Sequence, residues 1–212
     1  MKTLSIITSI MVLSIWSCKK TDNVSRLVTV PEMEVVGSKF ITINVGGTMP
    51  VDEGARVIND EPVEGGSNVK AVENTVDLNT PGIYYMLYQT RTKNGYTVGA
   101  ARYIAVTDYS DDTDLSGTYM RTANGVLVEV TRESRALYKN SDMGGAGLAD
   151  ALYFAVINDS TIEAGPQYSE SIGDVIDASG EALSIEPGNT FFRYALDAPG
   201  YGTTARTFVK QD

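Results

Sequence analysis

The chain has 212 residues, enough for one or two domains with real cores, and carries 17 Lys and Arg against 27 Asp and Glu. A formal charge of −10 and a pI near 4.5 argue against a nucleic-acid phosphate backbone as partner. The absence of histidine removes Ser-His-Asp and Cys-His catalysis, histidine-ligated zinc and an imidazole general base together, and no motif asks for a cofactor.

Residues 1–17 read as a processing signal. Lys2 precedes an apolar run from Leu4 to Trp16, interrupted by Ser5, Thr8, Ser9 and Ser14. That run is too short to cross ~30 Å of hydrocarbon comfortably. Ile15-Trp16-Ser17-Cys18 resembles a bacterial lipobox, with an aliphatic residue at −3, a small one at −1 and the cysteine that is acylated after cleavage. The alternative is an ordinary secretory peptide that happens to hold a cysteine. Cys18 is the one thiol in the sequence and Trp16 the one indole, so the rest of the chain forms no disulfide. Removal of residues 1–17 takes out Lys2 and no acid, which leaves a mature body one unit more negative. Acyl chains at ~0.8 kcal/mol per buried CH₂ are expected to hold that body to a membrane despite its acidity. Residues 18–27 read as a tether.

From residue 28 to 107 short alternating runs are separated by turn residues, which predicts strands. Phe40 to Val45 alternates strictly until Gly46-Gly47. Asn94-Gly95 predicts a type I′ turn joining residues 83–91 to 96–106. Gly46-Gly47-Thr48, Asp52-Glu53-Gly54-Ala55, Val76-Asp77, Thr80-Pro81-Gly82-Ile83-Tyr84, Tyr88 and Arg102-Tyr103-Ile104-Ala105-Val106 resemble the bacterial immunoglobulin-like domain of the hyalin-repeat type. The resemblance implies that Tyr84 and Tyr88 face a sandwich core. Ile83, Tyr85 and Leu87 then look outward, either beneath the second domain or another strand, or as a partner face.

Asp108, Asp111, Asp112 and Asp114 fall in an acidic stretch, residues 108–114, that contains no base. It reads as a solvated linker, with calcium ligation at the domain junction as the alternative. Residues 115–212 again read as strands, over 118–122, 126–132, 152–157, 183–185, 191–196 and 204–210. Gly144 to Gly147 has neither the preceding strand nor the following helix that a nucleotide-binding loop needs. Leu115 to Gly125 and Gly200 to Lys210 resemble the C-terminal domain of Bacteroidetes surface lipoproteins of unknown function, which pair it with the immunoglobulin-like module. The whole is therefore expected to be all-β: an immunoglobulin-like β-sandwich followed by a second antiparallel β domain, a sandwich or small barrel.

That family often accompanies outer-membrane glycan-uptake systems, so the resemblance implies a glycan ligand and an outer-membrane transporter complex as partner, at the cell surface. Sugar rings pack on aromatic faces, and all twelve tyrosines lie in the mature body. Tyr138, Tyr168 and Tyr201, near turn-rich stretches, are the expected platforms, with Asp142 and Gln167 as polar partners. Tyr119, Tyr153 and Tyr194 sit in strand patterns and are assigned to the core. Catalysis would need a matched pair of carboxylates, and the spacing of Glu129, Glu133, Glu163, Glu170 and Asp174 selects none, so no enzyme is expected. A structural or assembly role is the alternative to glycan capture. Cys18→Ala is expected to abolish palmitate labelling and globomycin-sensitive processing; labelling that persists in the variant would refute the lipid anchor.

Overall fold

Two short strands, β1 (Glu32–Val35) and β3 (Ala55–Ile58), pair antiparallel and form one layer of the N-terminal module. The opposing layer is a four-stranded sheet ordered β2 (Phe40–Ile43), β6 (Thr97–Val106), β5 (Gly82–Arg91) and β4 (Ala71–Asn74). Its β2 runs parallel to β6, whereas the β6–β5 and β5–β4 pairs are antiparallel. The computed structural model describes residues 30–60, 68–110 and 114–211. Cys18 and the lipobox lie outside the described residues, as do Asp111 and Asp112 of the acidic stretch.

Strand alternation sorts β5 between two interiors. Met86 and Tyr88 face the sandwich core with Val35, Ile43, Ala55, Ile104 and Val106, and Tyr84 packs against it. The β5–β6 turn departs from the sequence expectation. Thr92 N–H donates to the Tyr96 carbonyl at 2.8 Å around a three-residue loop, and the positive φ falls on Gly95 (+87°), as in a type I turn followed by a left-handed residue.

The C-terminal module is one nine-stranded sheet. Its strands are β7 (Gly117–Arg121), β8 (Leu127–Ser134), β9 (Leu137–Asn140), β10 (Leu152–Asn158), β11 (Thr161–Glu163), β12 (Gln167–Ser169), β13 (Asp174–Glu186), β14 (Asn189–Asp197) and β15 (Arg206–Lys210). They are ordered β11-β10-β9-β8-β7-β15-β14-β13-β12, and every pairing is antiparallel. The sheet curls like a half-barrel and brings β13 beside its β11 edge, where Leu183 N–H of β13 reaches the Ser160 carbonyl at 2.9 Å. Rings fill the inside: Phe192 lies 5.0 Å from each of Tyr119, Phe154 and Phe208, and Tyr138 stacks on Phe154 at 5.7 Å. The described residues contain no helix, so the fold is all-β.

A third interior joins the two modules. Ile83, Tyr85 and Leu87 of β5 and Ala101, Tyr103 and Ala105 of β6 form one buried cluster with Leu137, Tyr153, Ala155 and Tyr168 of the C-terminal module. The face of Ile83, Tyr85 and Leu87 is thus covered by the second module and is not an open partner face. Tyr103 and Tyr153 have ring centroids 4.1 Å apart with Phe40 beside both, and the Tyr103 hydroxyl donates to the Tyr168 carbonyl at 2.6 Å. At the margin, Glu170 accepts from Lys39 Nζ at 2.8 Å and from the Ala101 amide at 3.0 Å. The junction is held too: Thr107 Oγ1 donates to the Val156 carbonyl at 2.9 Å, and Arg135 donates to the carbonyls of Thr107 and Tyr109 and to Asn44 Oδ1. A free hinge between independently folding bodies is therefore not what joins the modules, and the described residues from Pro31 onward form one compact unit.

Full burial of each large aliphatic residue in this shared interior is worth about 1.5–3 kcal/mol. Tyr103→Ala is expected to cost about 3–5 kcal/mol, by analogy with other large aromatic truncations in cores. Thermal unfolding followed by far- and near-ultraviolet circular dichroism should show one transition in the parent and a lower one in the variant. Two separate transitions, with the C-terminal one unmoved, would refute the shared core.

Candidate functional site

Three of the five residues expected to bind a ligand are structural. Tyr138 lies on β9 with no exposed surface, facing the rings inside the curled sheet. Tyr168 is 7% exposed and belongs to the shared interior. Gln167, 1% exposed, spends its amide on buried backbone: its Oε1 accepts the Tyr153 amide at 3.0 Å and its Nε2 donates to the Tyr153 carbonyl at 2.7 Å and to the Ala164 carbonyl. Without Gln167 those β10 backbone groups would be buried unpaired, which explains a polar residue at that position.

Asp142 and Tyr201 do come together, in a closed corner of the module. Asp142 is buried, and its carboxylate accepts the amides of Gly144 (3.0 Å), Ala146 (2.8 Å), Gly147 (2.6 Å) and Leu148 (3.0 Å). A glycine-rich turn whose amides could cradle an external anion is thus already filled by its own aspartate. A Cβ at Gly144 would stand 2.4 Å from the Tyr201 ring, and one at Gly145 would stand 2.7 Å from Arg121 Cδ, so both glycines are required by close approach. The Tyr201 hydroxyl donates to Asp150 Oδ2 at 2.6 Å, and the Arg206 guanidinium lies 5.7 Å from its ring centroid. Burial, with the Asp150 carboxylate, pushes the Tyr201 phenol well above its ordinary pKa. Burial and the neighbouring Arg121 lower that of Arg206. Its Nη atoms donate to the carbonyls of Thr204 and Gly202, and those of Arg121 to Gly144. The half-buried Tyr201 ring is packed among its own neighbours and offers no open platform.

The carboxylates considered for catalysis serve local bonds. Glu129 accepts from Thr118, Glu133 from Thr131, and Asp174 from the Val175 amide. Glu163 is the exception. It sits where β11 approaches β13, and burial, reinforced by the charges of Glu181 and Asp177, raises its pKa above the ordinary carboxyl value. Two of the four calcium candidates are described. Asp108 caps the Val45 amide at 3.1 Å and Asp114 the Ser116 amide at 2.9 Å. Among the described residues no group of three or more metal-binding side chains is arranged to hold an ion.

An open concavity lies at the module junction. A groove of about 630 Å³ is lined by Asp108 and Tyr109 of the linker, Ile157, Asn158 and Asp159 at the end of β10, and Ile185 of β13. Of these, the sequence reading singled out Asp108 alone. Only the fold brings 108–109, 157–159 and 185 side by side, and no spacing in the chain foretells it.

No family model matches the sequence, and no curated protein matches it. Among solved structures the chain is similar to the crystal structure of a lipoprotein from Bacteroides thetaiotaomicron, at 22% identity over 86% of this chain and 100% of that one, with a TM-score of 0.38.

Two expectations follow from this geometry. Asp142→Ala leaves four amides without their acceptor. It is expected to cost about 1.5–3 kcal/mol, the scale of one charge-assisted bond, because the others find water, and to speed hydrogen exchange at Ala146 to Leu148. Unchanged exchange there would remove the claim that Asp142 organises the turn. For Glu163 the folded-state pKa is raised, so its protonated form favours folding. That contribution is complete below the unfolded pKa and is lost as pH rises through the folded one. Glu163→Gln should therefore gain stability over the parent above that window and match it below, in urea titrations across pH; a difference independent of pH would contradict the assignment.

Proposed function

We propose that this chain is a lipid-anchored, non-catalytic protein of the outer membrane, displayed at the cell surface, that works by docking. In this reading the two modules act as one rigid body that holds its place in a surface assembly, with an outer-membrane transporter complex as the proposed host. The observation that carries it is the shared interior around Tyr103, Tyr153 and Tyr85, which fixes the relation between the modules. A preorganised body loses little conformational freedom on association, which favours a docking element over a loosely tethered capture domain.

Glycan capture is the second reading. What favours it is the junction groove, where the half-exposed Tyr109 ring stands among Asp108, Asn158 and Asp159, a ring with acceptors around it.

The test uses the full chain, tagged at its C-terminus and expressed in its own host. Isolation from gently solubilised membranes after brief crosslinking should recover it with a defined set of membrane proteins, and a glycan screen of the soluble body should be silent. Recovery of the chain alone, together with saturable retention on a polysaccharide gel, would replace docking with glycan capture.

A further inference from the structure

The junction groove has two chemically distinct parts. Its floor is apolar: Tyr109 and Ile185 lie against the C-terminal core, Ile157 against the shared interior, and all three are half-buried. Its rim is polar and acidic: Asp108 and Asp159 are exposed carboxylates, the first also accepting the Val45 amide at 3.1 Å, and exposed Ser110 and Asn158 complete the lining. Among the described residues no lysine or arginine lines it. Arg135, which binds the same linker, is committed to the carbonyls of Thr107 and Tyr109 and to Asn44. The walls are held in place by that arginine and by the Thr107 hydroxyl on the Val156 carbonyl.

An apolar floor that includes the Tyr109 ring, beneath two carboxylates, complements a cation carried on an aliphatic stem. The stem covers Ile157 and Ile185, the charged head stays at the wet rim, and the ring face adds a cation–π contact when the head lies within ~6 Å of its centroid. An anionic group would meet like charge, and a neutral sugar would leave the rim charge unanswered. We infer that this groove docks a lysine- or arginine-bearing segment of a partner polypeptide. The inference rests on the docking reading above and names the chemistry of the partner at that surface. Because the rim carboxylates are exposed, their attraction extends only about a Debye length, ~8 Å at physiological salt, so docking weakens as salt rises.

The experiment uses the full mature chain and three probes: a labelled Ala-Lys-Ala-Lys-Ala peptide, the same peptide with glutamine for lysine, and a neutral oligosaccharide. Fluorescence anisotropy should show binding of the lysine peptide alone, weakened at least fivefold between 50 and 300 mM NaCl. Asp108→Asn with Asp159→Asn should weaken it at least tenfold while leaving the melting temperature of the body near that of the parent. Glu32→Gln with Asp197→Asn removes the same charge at exposed positions outside the groove and should change binding less than twofold. Equal loss in both double variants, equal binding of the glutamine peptide, or salt-independent binding of the oligosaccharide in its place would each overturn the assignment. The groove variant also separates the two claims. If it still isolates with the parent's membrane partners, docking stands and this groove is not its site. If the parent isolates alone but binds the lysine peptide as described, the groove chemistry stands and the assembly reading fails.

Discussion

The β5–β6 hairpin is apolar on both faces, and the rest of the molecule is arranged to cover it. Tyr84, Met86 and Tyr88 look one way from β5; Ile83, Tyr85 and Leu87 look the other. One face is met by β1 and β3 of the opposing layer, the other by β9, β10 and β12 of the following module. A strand with two apolar faces cannot lie on a surface, so it becomes the middle layer of three. This makes the C-terminal module part of the N-terminal module's solubility. Leu137 and Tyr153 show the reciprocal dependence: they point away from the ring-filled interior of their own sheet and are buried only because β5 and β6 lie over them.

Within the N-terminal sandwich, charge is admitted on strict terms. Arg102 points inward from β6, buried, with Nη1 donating to Asp52 Oδ1 at 3.0 Å and Nη2 to the Val36 carbonyl at 2.6 Å. Asp52 also accepts from the Tyr88 hydroxyl at 2.7 Å and from the Gly54 amide at 3.0 Å. Gly54 has φ +83°, and a Cβ there would stand 2.5 Å from the Val69 carbonyl oxygen, so the turn that presents Asp52 requires glycine. The Asp-x-Gly-Ala text and the arginine of the closing strand, which looked like separate parts of a resemblance, are two ends of one ion pair. Removing Asp52 would leave Arg102 a desolvated charge without its carboxylate partner.

This explains why some parts of the molecule could be read from the chain and others could not. The hairpin, β7, β8, β10, β14 and β15 announce themselves by alternation or by turn residues close to their ends, and the inward Tyr84 and Tyr88 follow from the resemblance. The strands that were missed are short or lack alternation. Leu137-Tyr138-Lys139-Asn140 follows a tight turn through Ala136 at φ +56° and is buried almost throughout, so it carries no polar-outward signal. Gln167-Tyr168-Ser169 is buried at every position although two of the three residues are polar. In the sequence Tyr138, Gln167 and Tyr168 stand near turn residues, which suggests a binding face; in the fold all three are buried. Proximity to turn residues says where a chain bends and not which side of it meets water.

The same logic separates acids that organise the fold from acids that act on the surroundings. Asp142 is saturated by its own turn, Asp52 by Arg102 and Tyr88, and Glu170 by Lys39 and the Ala101 amide. Each is negative in the composition yet has its charge answered locally. The field seen by an approaching molecule is therefore set by the carboxylates left at the surface, such as Asp108 and Asp159, and a field is focused where such charges flank low-dielectric walls. The groove has such walls because the linker runs past the ends of β10 and β13, where Tyr109, Ile157 and Ile185 are half-buried. A site of this kind needs no motif: it comes from the linker passing the ends of β10 and β13, and from the acidic residues that the chain places at its lip.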